Sequence, residues 1–178
     1  MLEVMNIMYA SGAVTHKQKR GTLVCIPKKP VPGSPEDYRP LTLLNADYKL
    51  LMRIITTRLH PWMNDLLQQK QYCGRQDDTI FDAVAVIRDT VAYKEIHKAP
   101  VCLLILDFKE AFDRISHDYL HAIMRVYGFS VEFCVRLKQI YANATSQLTI
   151  KGMRSQSIPI RCFVRQGCPL SKSLFVYV

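Results

Sequence analysis

The sequence has few acidic residues compared with basic ones. Its 178 residues include 15 Asp and Glu against 24 Lys and Arg, which gives a formal net charge of +9. Such an excess favours a polyanionic partner, either a nucleic acid or an anionic membrane surface. No apolar run approaches the ~20 residues that span a bilayer, and residues 1–9 lack the basic-then-apolar order of a signal peptide. We therefore expect an intracellular protein, nuclear or cytoplasmic, with no membrane partner.

Several motifs of common enzymes and metal proteins are also missing. None of the six cysteines forms a Cys-x-x-Cys pair, so a zinc site is not indicated and buried, reduced thiols are favoured. There is no Gly-x-x-x-x-Gly-Lys-Ser/Thr phosphate loop and no Gly-x-Ser-x-Gly nucleophile elbow. Ser116-His117-Asp118 contains the residue types of a hydrolase triad, but three consecutive side chains cannot form its nucleophile–base–orienter line.

Hydrophobic residues make up 49% of the chain, enough to bury a core. Helical and strand patterns do not alternate regularly, so the predicted fold class is α+β. The helical patterns cover residues 1–9, 46–69 with Pro61 bending or ending the helix, 80–97, the stretches that follow Ser116 and Ser130, and the segment that opens at 165–171. The strand patterns cover residues 21–27, 101–106 and a hairpin around Gly152.

Asp107 closes the apolar run Val101–Leu106, which predicts a strand buried on both faces. A carboxylate at the exit of such a strand is costly unless a metal ion, an arginine or a helix N-terminus pairs with it. Asp107 is therefore a candidate metal ligand, with the backbone carbonyl of Phe108 beside it. The alternative is an aspartate that caps the following turn.

Two basic segments could bind phosphate groups. Lys28, Lys29 and Arg39 bracket a proline-rich loop and suit a triphosphate, although a solvated basic turn has the same composition. Gln166 and Gly167 follow Arg165 and precede a predicted helix N-terminus, where backbone N–H groups and a glycine permit close approach of a nucleotide or template.

Five segments in this order resemble the reverse transcriptase of non-LTR (LINE-type) retrotransposons. The resemblance runs from about residue 20 to the end of the sequence. The segments are Val24-Cys-Ile-Pro-Lys-Lys, Asp37-Tyr-Arg-Pro-Leu-Thr-Leu-Leu-Asn45, Cys73-Gly-Arg75, Leu106-Asp-Phe-Lys-Glu-Ala-Phe-Asp113 and Arg165-Gln-Gly-Cys-Pro-Leu-Ser171.

The resemblance implies the fingers and part of the palm of a right-hand polymerase, with an antiparallel sheet packed on helices. Residues 1–100 would form a fingers-like segment and residues 101–178 a partial palm. The implied partners are an RNA template, a DNA primer and a deoxynucleoside triphosphate, and the implied cofactor is Mg²⁺, as two ions. The reaction would be two-metal nucleotidyl transfer.

The resemblance also implies a role for each candidate residue. Asp107 would be the first catalytic metal-binding aspartate, with the Phe108 carbonyl on the same ion, and Phe112 would exclude ribonucleotides by clashing with their 2′-hydroxyl. The remaining residues are nucleotide-binding Lys28, Lys29, Arg39, Gln166 and Gly167, and template- or primer-contacting Arg75 and Arg165.

Two departures from the family pattern bear on activity. The sequence contains no Ala-Asp-Asp, and its one Asp-Asp pair, Asp77-Asp78, precedes Asp107. Lys172 stands where the family usually has an apolar residue or proline. We therefore expect a reverse transcriptase domain whose second palm half and thumb belong to a longer parent, with this chain inactive alone. The alternative is a non-catalytic retrotransposon remnant that at most binds nucleic acid. In either case, uncovered apolar surface predicts aggregation.

Overall fold

The computed structural model describes residues 2–73, 75, 78–98, 100–109, 111–160, 162 and 165–178, apart from the side chains at positions 2, 64 and 113. The helices are α1 (Leu2–Ser11), α2 (His16–Lys19), α3 (Ala46–Leu66), α4 (Ile80–His97), α5 (His117–Val126), α6 (Val131–Tyr141) and α7 (Pro169–Phe175). The strands are β1 (Arg20–Pro27), β2 (Tyr38–Leu43), β3 (Thr145–Ile150), β4 (Met153–Arg154) and β5 (Ile158–Pro159). Short 3₁₀ turns cover Pro35–Asp37 and Ala111–Asp113.

One small sheet joins strands from both ends of the chain in the order β2-β1-β3-β4, with β5 also paired to β3. β1 is antiparallel to β2 and parallel to β3. The predicted α+β class is confirmed as a mixture of helices and a small sheet, but the sheet is mixed rather than wholly antiparallel. A parallel pair needs a long crossover, and the segment from β2 to β3, which contains α3 to α6, supplies it.

Local sequence signals define the helix starts. The Ser116 hydroxyl accepts a hydrogen bond from the Tyr119 N–H (3.0 Å), and the Ser130 hydroxyl accepts one from the Phe133 N–H (3.2 Å). These bonds satisfy N–H groups that the first helical turn leaves without a partner. Lys151 and Gly152 both have positive φ, 47° and 81°, as a two-residue hairpin turn of type I′ requires. The helices after Ser116 and Ser130 and the hairpin around Gly152 are thus confirmed.

The core lies around α3, whose buried side chains recur at helical spacing. They belong to one cluster with buried residues of α1, α5, α6 and α7, so one core unites segments from both halves of the chain. The α3 residues in this core are Tyr48, Leu51, Met52, Ile55 and Leu59. Strands and helices from both sides of residue 100 therefore share one sheet and one core. The division into a fingers-like segment (1–100) and a partial palm (101–178) stays a prediction.

The prediction of a buried strand over Val101–Leu106 is wrong. These residues pair with no strand of the described chain, and Leu104 and Ile105 are 74% and 81% exposed. A strand requires a hydrogen-bonded neighbour, and the described β3 is already flanked by β1 on one side and by β4 and β5 on the other. Asp107 therefore lies in an exposed segment, where a carboxylate needs no partner.

Helix α4 forms where the periodicity predicts it, but its apolar face is not covered. No described residue of α4 is buried, and Phe81 is 78% exposed. Segment 101–108 also exposes large apolar side chains, so these two segments together contribute an extensive exposed apolar area. None of the helices in the described ranges combines the length and apolar character required to cross a bilayer.

Candidate functional site

The tip of the β1–β2 hairpin carries the first group of predicted residues. Register pairs Ile26 with Arg39, and the Lys28 N–H donates to the Asp37 carbonyl at 2.7 Å. Lys28, Lys29 and Arg39 are therefore brought to one end of the sheet, as a triphosphate-binding group would require.

Two of these three cations already have partners. The Lys29 ammonium lies 2.9 Å from an Asp37 carboxylate oxygen, and the Lys28 ammonium donates to the Glu36 carbonyl at 2.8 Å. The Lys29 side chain, followed by the Gly33 and Ser34 backbone N–H groups, lowers the pKa of the Asp37 carboxyl. Arg39 is exposed and has no ion pair within the described ranges, which makes it the most available cation of this group.

The turn that contains Gln166 and Gly167 is fixed against β2. The Thr42 N–H donates to the Gln166 carbonyl at 2.8 Å. Gly167 has φ of 103°, and a Cβ at this position would lie 2.6 Å from the Thr42 carbonyl oxygen. Only glycine fits this backbone conformation and this close approach. The strand that carries Arg39 thus also positions the Gln166–Gly167 turn.

Phe112 meets this turn in a small cavity of about 320 Å³, which Phe112, Gln166, Gly167 and Lys172 line. The Phe112 ring stacks on Phe175 with centroids 4.4 Å apart, which holds it against the core. Three residues predicted to contact the nucleotide, from two segments distant in sequence, therefore line one cavity.

Arg165 also borders this cavity, but its side chain is fully buried. Its guanidinium lies 5.7 Å from the centre of the Tyr48 ring, a cation–π contact. Its three nitrogens have no hydrogen-bond acceptor among the described residues. Burial, then the Arg165 charge, lowers the pKa of Lys19. A contact between Arg165 and the template or primer stays a prediction. The burial of the Arg165 side chain favours a role in holding the turn that contains Gln166.

Asp107 and Phe108 lie in a different cavity, of about 690 Å³, which Lys109, Arg114 and Phe175 also line. Phe175 connects this cavity to Phe112 through their stacked rings.

The Asp107 cavity does not by itself complete a magnesium site. Asp107 is the only Asp or Glu among its described lining residues, whereas Mg²⁺ takes about six oxygen ligands. No group of three or more His, Cys, Asp or Glu that could hold a metal ion occurs within the described ranges. The Asp107 carboxylate is a suitable oxygen donor for Mg²⁺, but the described residues supply too few such donors. Of the Asp77-Asp78 pair, only Asp78 lies within the described residues.

Arg75 lies at a third place, a cleft of about 900 Å³ between α3, the start of α4 and α7. Its Nε is 2.8 Å from an Asp78 carboxylate oxygen, and one terminal nitrogen donates to the Leu67 carbonyl at 3.4 Å. The sequence analysis missed two α3 residues of this cleft, Arg53 and His60. Their seven-residue spacing along one face of α3 was the signal that could have identified them.

The comparisons with known proteins cover nearly the whole chain. Residues 26–178 match the family described as reverse transcriptase (RNA-dependent DNA polymerase). The chain is 31% identical over 172 residues to the transposon TX1 uncharacterized 149 kDa protein of Xenopus laevis, a match that covers 97% of the chain. It is 27% identical over 175 residues to the Retrovirus-related Pol polyprotein from type-2 retrotransposable element R2DM of Drosophila melanogaster, which covers 98% of the chain.

A third relative is the probable RNA-directed DNA polymerase from transposon BS of Drosophila melanogaster, 28% identical over 123 residues and 61% of the chain. The chain spans only 13%, 16% and 14% of the lengths of these three relatives, respectively.

Proposed function

The chain belongs to the reverse transcriptase family, as a domain homologous to the RNA-directed DNA polymerases of non-LTR retrotransposons, and from this premise we propose that it forms the fingers and part of the palm of such a polymerase. Its partners would be an RNA template, a DNA primer and a deoxynucleoside triphosphate. The observation that carries the proposal is the convergence of Phe112, Gln166 and Gly167 on one cavity, beside the strand that holds Arg39.

The proposed nucleotide site combines charge and shape. Arg39 would bind the triphosphate, because its guanidinium is exposed and can form bidentate hydrogen bonds with phosphate oxygens. Lys28 and Lys29 would assist from the same hairpin tip once a phosphate competes with their present partners. Gln166 and Gly167 would pack against the nucleotide, since the missing glycine side chain leaves room for close approach.

Phe112 would act as the gate against ribonucleotides. Its ring is held by Phe175 and the core, so it cannot easily turn aside for a 2′-hydroxyl. Asp107 and the Phe108 carbonyl would supply oxygen ligands to a divalent ion, for which Mg²⁺ is proposed. When bound, this ion would stabilise negative charge on the reacting phosphate. Arg75 and Arg165 would contact or support the template and primer.

The proposal is tested by primer extension on an RNA template with Mg²⁺. The parent polymerase that contains these residues should extend a DNA primer, and Asp107→Asn should lower the rate by at least ~100-fold. Phe112→Val should leave extension with deoxynucleotides nearly intact and allow extension with ribonucleotides. Undiminished extension by Asp107→Asn, or unchanged sugar selectivity in Phe112→Val, would contradict these roles.

A second candidate function is nucleic-acid binding without catalysis. The exposure of the segment around Asp107 favours this function for the 178-residue chain, as does the presence of a single Asp or Glu among the described residues that line its cavity. The expected result is RNA binding that weakens steeply as salt rises, with no primer extension. Extension by this 178-residue chain that Asp107→Asn abolishes would exclude the second candidate.

A further inference from the structure

An aromatic groove lies between α1, α3 and the loop that joins α5 to α6, and none of its described lining residues borders the cavity proposed to bind the nucleotide. Its volume is about 690 Å³, within the range of about 300–1,000 Å³ that is typical of ligand-binding clefts. Its aromatic residues are Tyr9, Trp62, Tyr127, Phe129 and Phe133. Aliphatic residues of α3 complete the apolar lining.

Trp62 lines this groove and is the only tryptophan of the sequence. It is 64% exposed, although an indole ring buries a large apolar area when a ligand covers it. Ring contacts hold another part of the lining. Phe129 stacks on Phe133 with centroids 5.5 Å apart and meets the buried Tyr177 edge to face at 5.4 Å. The groove therefore combines an exposed aromatic anchor with a fixed aromatic wall, as the centres of binding interfaces do.

Two arginines lie beside the aromatic groove. The guanidinium carbons of Arg58 and Arg136 are each 5.3 Å from the centre of the Tyr9 ring, and these cation–π contacts limit the freedom of both side chains. The ion pairs of the described side chains involve neither arginine. Both guanidinium groups can therefore form bidentate hydrogen bonds with carboxylates at little further cost in side-chain entropy.

The chemistry of the lining distinguishes between two classes of anionic ligand. A nucleic-acid strand has a phosphate at every nucleotide, and Asp65 contributes a carboxylate to the lining that would repel such a strand. An acidic peptide can place its apolar side chains next to Asp65 and its carboxylates next to the arginines. Leu59 and Leu66 in the lining also suit aliphatic or aromatic side chains better than a sugar–phosphate chain. The lining therefore favours a peptide.

We propose that the aromatic groove binds an acidic peptide segment of a partner protein. A large apolar side chain of the peptide would insert beside Trp62, and neighbouring Asp or Glu residues would pair with Arg58 and Arg136. Trp, Tyr and Arg are the residues most enriched among those that dominate binding energy at protein interfaces, and this groove brings all three types together. The net charge of +9 would draw an acidic segment toward the chain. This inference does not depend on the proposed polymerase function.

The probe is a peptide in which phenylalanine and leucine are flanked by glutamates and which contains no tryptophan. The unlabelled peptide should shift the fluorescence emission of Trp62 to shorter wavelength at low salt, because the indole leaves water. Trp62→Ala should weaken binding of the fluorescein-labelled peptide, measured by anisotropy, by at least about tenfold. A peptide in which serines replace the phenylalanine and leucine should bind weakly and leave the Trp62 emission unchanged.

Charge variants test the role of the two arginines. Arg58→Gln/Arg136→Gln should bind the glutamate peptide about tenfold more weakly. Lys49→Gln/Arg53→Gln is the matched control, because it also removes two charges, at exposed positions of α3 that do not line the groove. It should bind almost like the unmodified chain. Arg58→Glu/Arg136→Glu should reverse the preference and bind a peptide with lysines in place of the glutamates more tightly than the original peptide.

Helix content measured by circular dichroism should be the same in all variants, since Trp62 and Arg58 are exposed. Equal binding of the glutamate peptide by the unmodified chain, Trp62→Ala and Arg58→Gln/Arg136→Gln would overturn the proposal, and so would the absence of binding at low salt. Labelled oligothymidylate tests the other ligand class. If oligothymidylate shifts the Trp62 emission and the peptide does not, the groove binds nucleic acid and the proposal fails. Each of these results leaves the polymerase proposal unaffected.

Discussion

Gly167 is the residue on which the geometry of the proposed nucleotide site depends most directly. Its φ is 103°, and a Cβ added at this position would lie 2.6 Å from the Thr42 carbonyl oxygen. Any other residue therefore requires the backbone here to move. The hydrogen bond from Thr42 to Gln166 lies one residue away. A displacement at Gly167 would therefore also move Gln166 away from β2.

Gly167→Ala should lower the free energy of unfolding by about 2 kcal/mol or more, because backbone strain and a steric clash add together. Urea unfolding followed by circular dichroism measures this loss. Two control variants separate the causes. Gly152→Ala has positive φ but open space around it, so strain alone should cost about 1 kcal/mol.

The second control, Gly33→Ala, has neither positive φ nor close contact and should be nearly neutral or slightly stabilising, by up to about 1 kcal/mol. Equal losses for Gly167→Ala and Gly152→Ala would show that the contact with Thr42 is unimportant.

Single residues also show what the sequence could not predict. Arg165 was expected to meet template or primer because its motif favours that role. Its fully buried position follows from the approach of Tyr48 on α3, a contact between residues distant in sequence. Phe112 and Gln166, which are distant in sequence, line one cavity, while their assignment to the nucleotide stays a prediction.

For helices and strands, sequence patterns that depend on neighbouring residues predicted the structure well. Patterns that depend on which strands pair did not. The helix caps at Ser116 and Ser130 could be predicted from the sequence, because a cap joins atoms only three residues apart. The run 101–106 was assigned as a strand on hydrophobicity alone, and without a neighbouring strand it stays exposed. β2 was missed because its Pro40 and the preceding proline-rich loop resemble a turn. Proline is tolerated there because β2 is an edge strand.

Helix α3 contains Pro61 but continues to Leu66. The sequence allowed a bend or an end at this proline, and the structure shows one helix. The proline has no N–H to donate to the Thr57 carbonyl, and its ring crowds that carbonyl. Packing of buried residues on both sides, including Leu59 and Met63, keeps the helix together across this defect.

Pro61→Ala should therefore raise the free energy of unfolding by about 1–3 kcal/mol, since it restores the missing hydrogen bond and removes the crowding. Pro61 is exposed, so little packing is lost. Chemical denaturation of the two proteins under the same conditions provides the comparison. Lys49→Ala, at an exposed position of the same helix, should change stability by no more than about 0.5 kcal/mol. A destabilised Pro61→Ala would mean that the proline is required for the course of α3.

For the whole molecule, the exposed apolar surface of α4 and segment 101–108 is the main cause of the expected aggregation. Phe81 and Ile105 are 78% and 81% exposed. Apolar surface of this extent promotes association between molecules. The Phe81→Glu/Ile105→Lys double variant should therefore stay monomeric at concentrations where the unmodified chain associates, with little change in melting temperature.

Light scattering against protein concentration measures this difference. Val126→Lys is the matched control, because Val126 is equally exposed, at 81%, but lies on α5 outside this surface. It should improve solubility much less. If all the variants associate like the unmodified chain, another surface is responsible.

The parallel pairing of β1 with β3 has a consequence for how the protein is made. β1 and β2 are close in sequence and can pair soon after they leave the ribosome, but β3 follows β1 by roughly 120 residues. At ordinary translation speeds this gap corresponds to about 6–24 s. During that interval the nascent hairpin has an open inner edge, which chaperones or a neighbouring nascent chain could engage. The order of synthesis thus leaves the centre of the sheet open until β3 has been made.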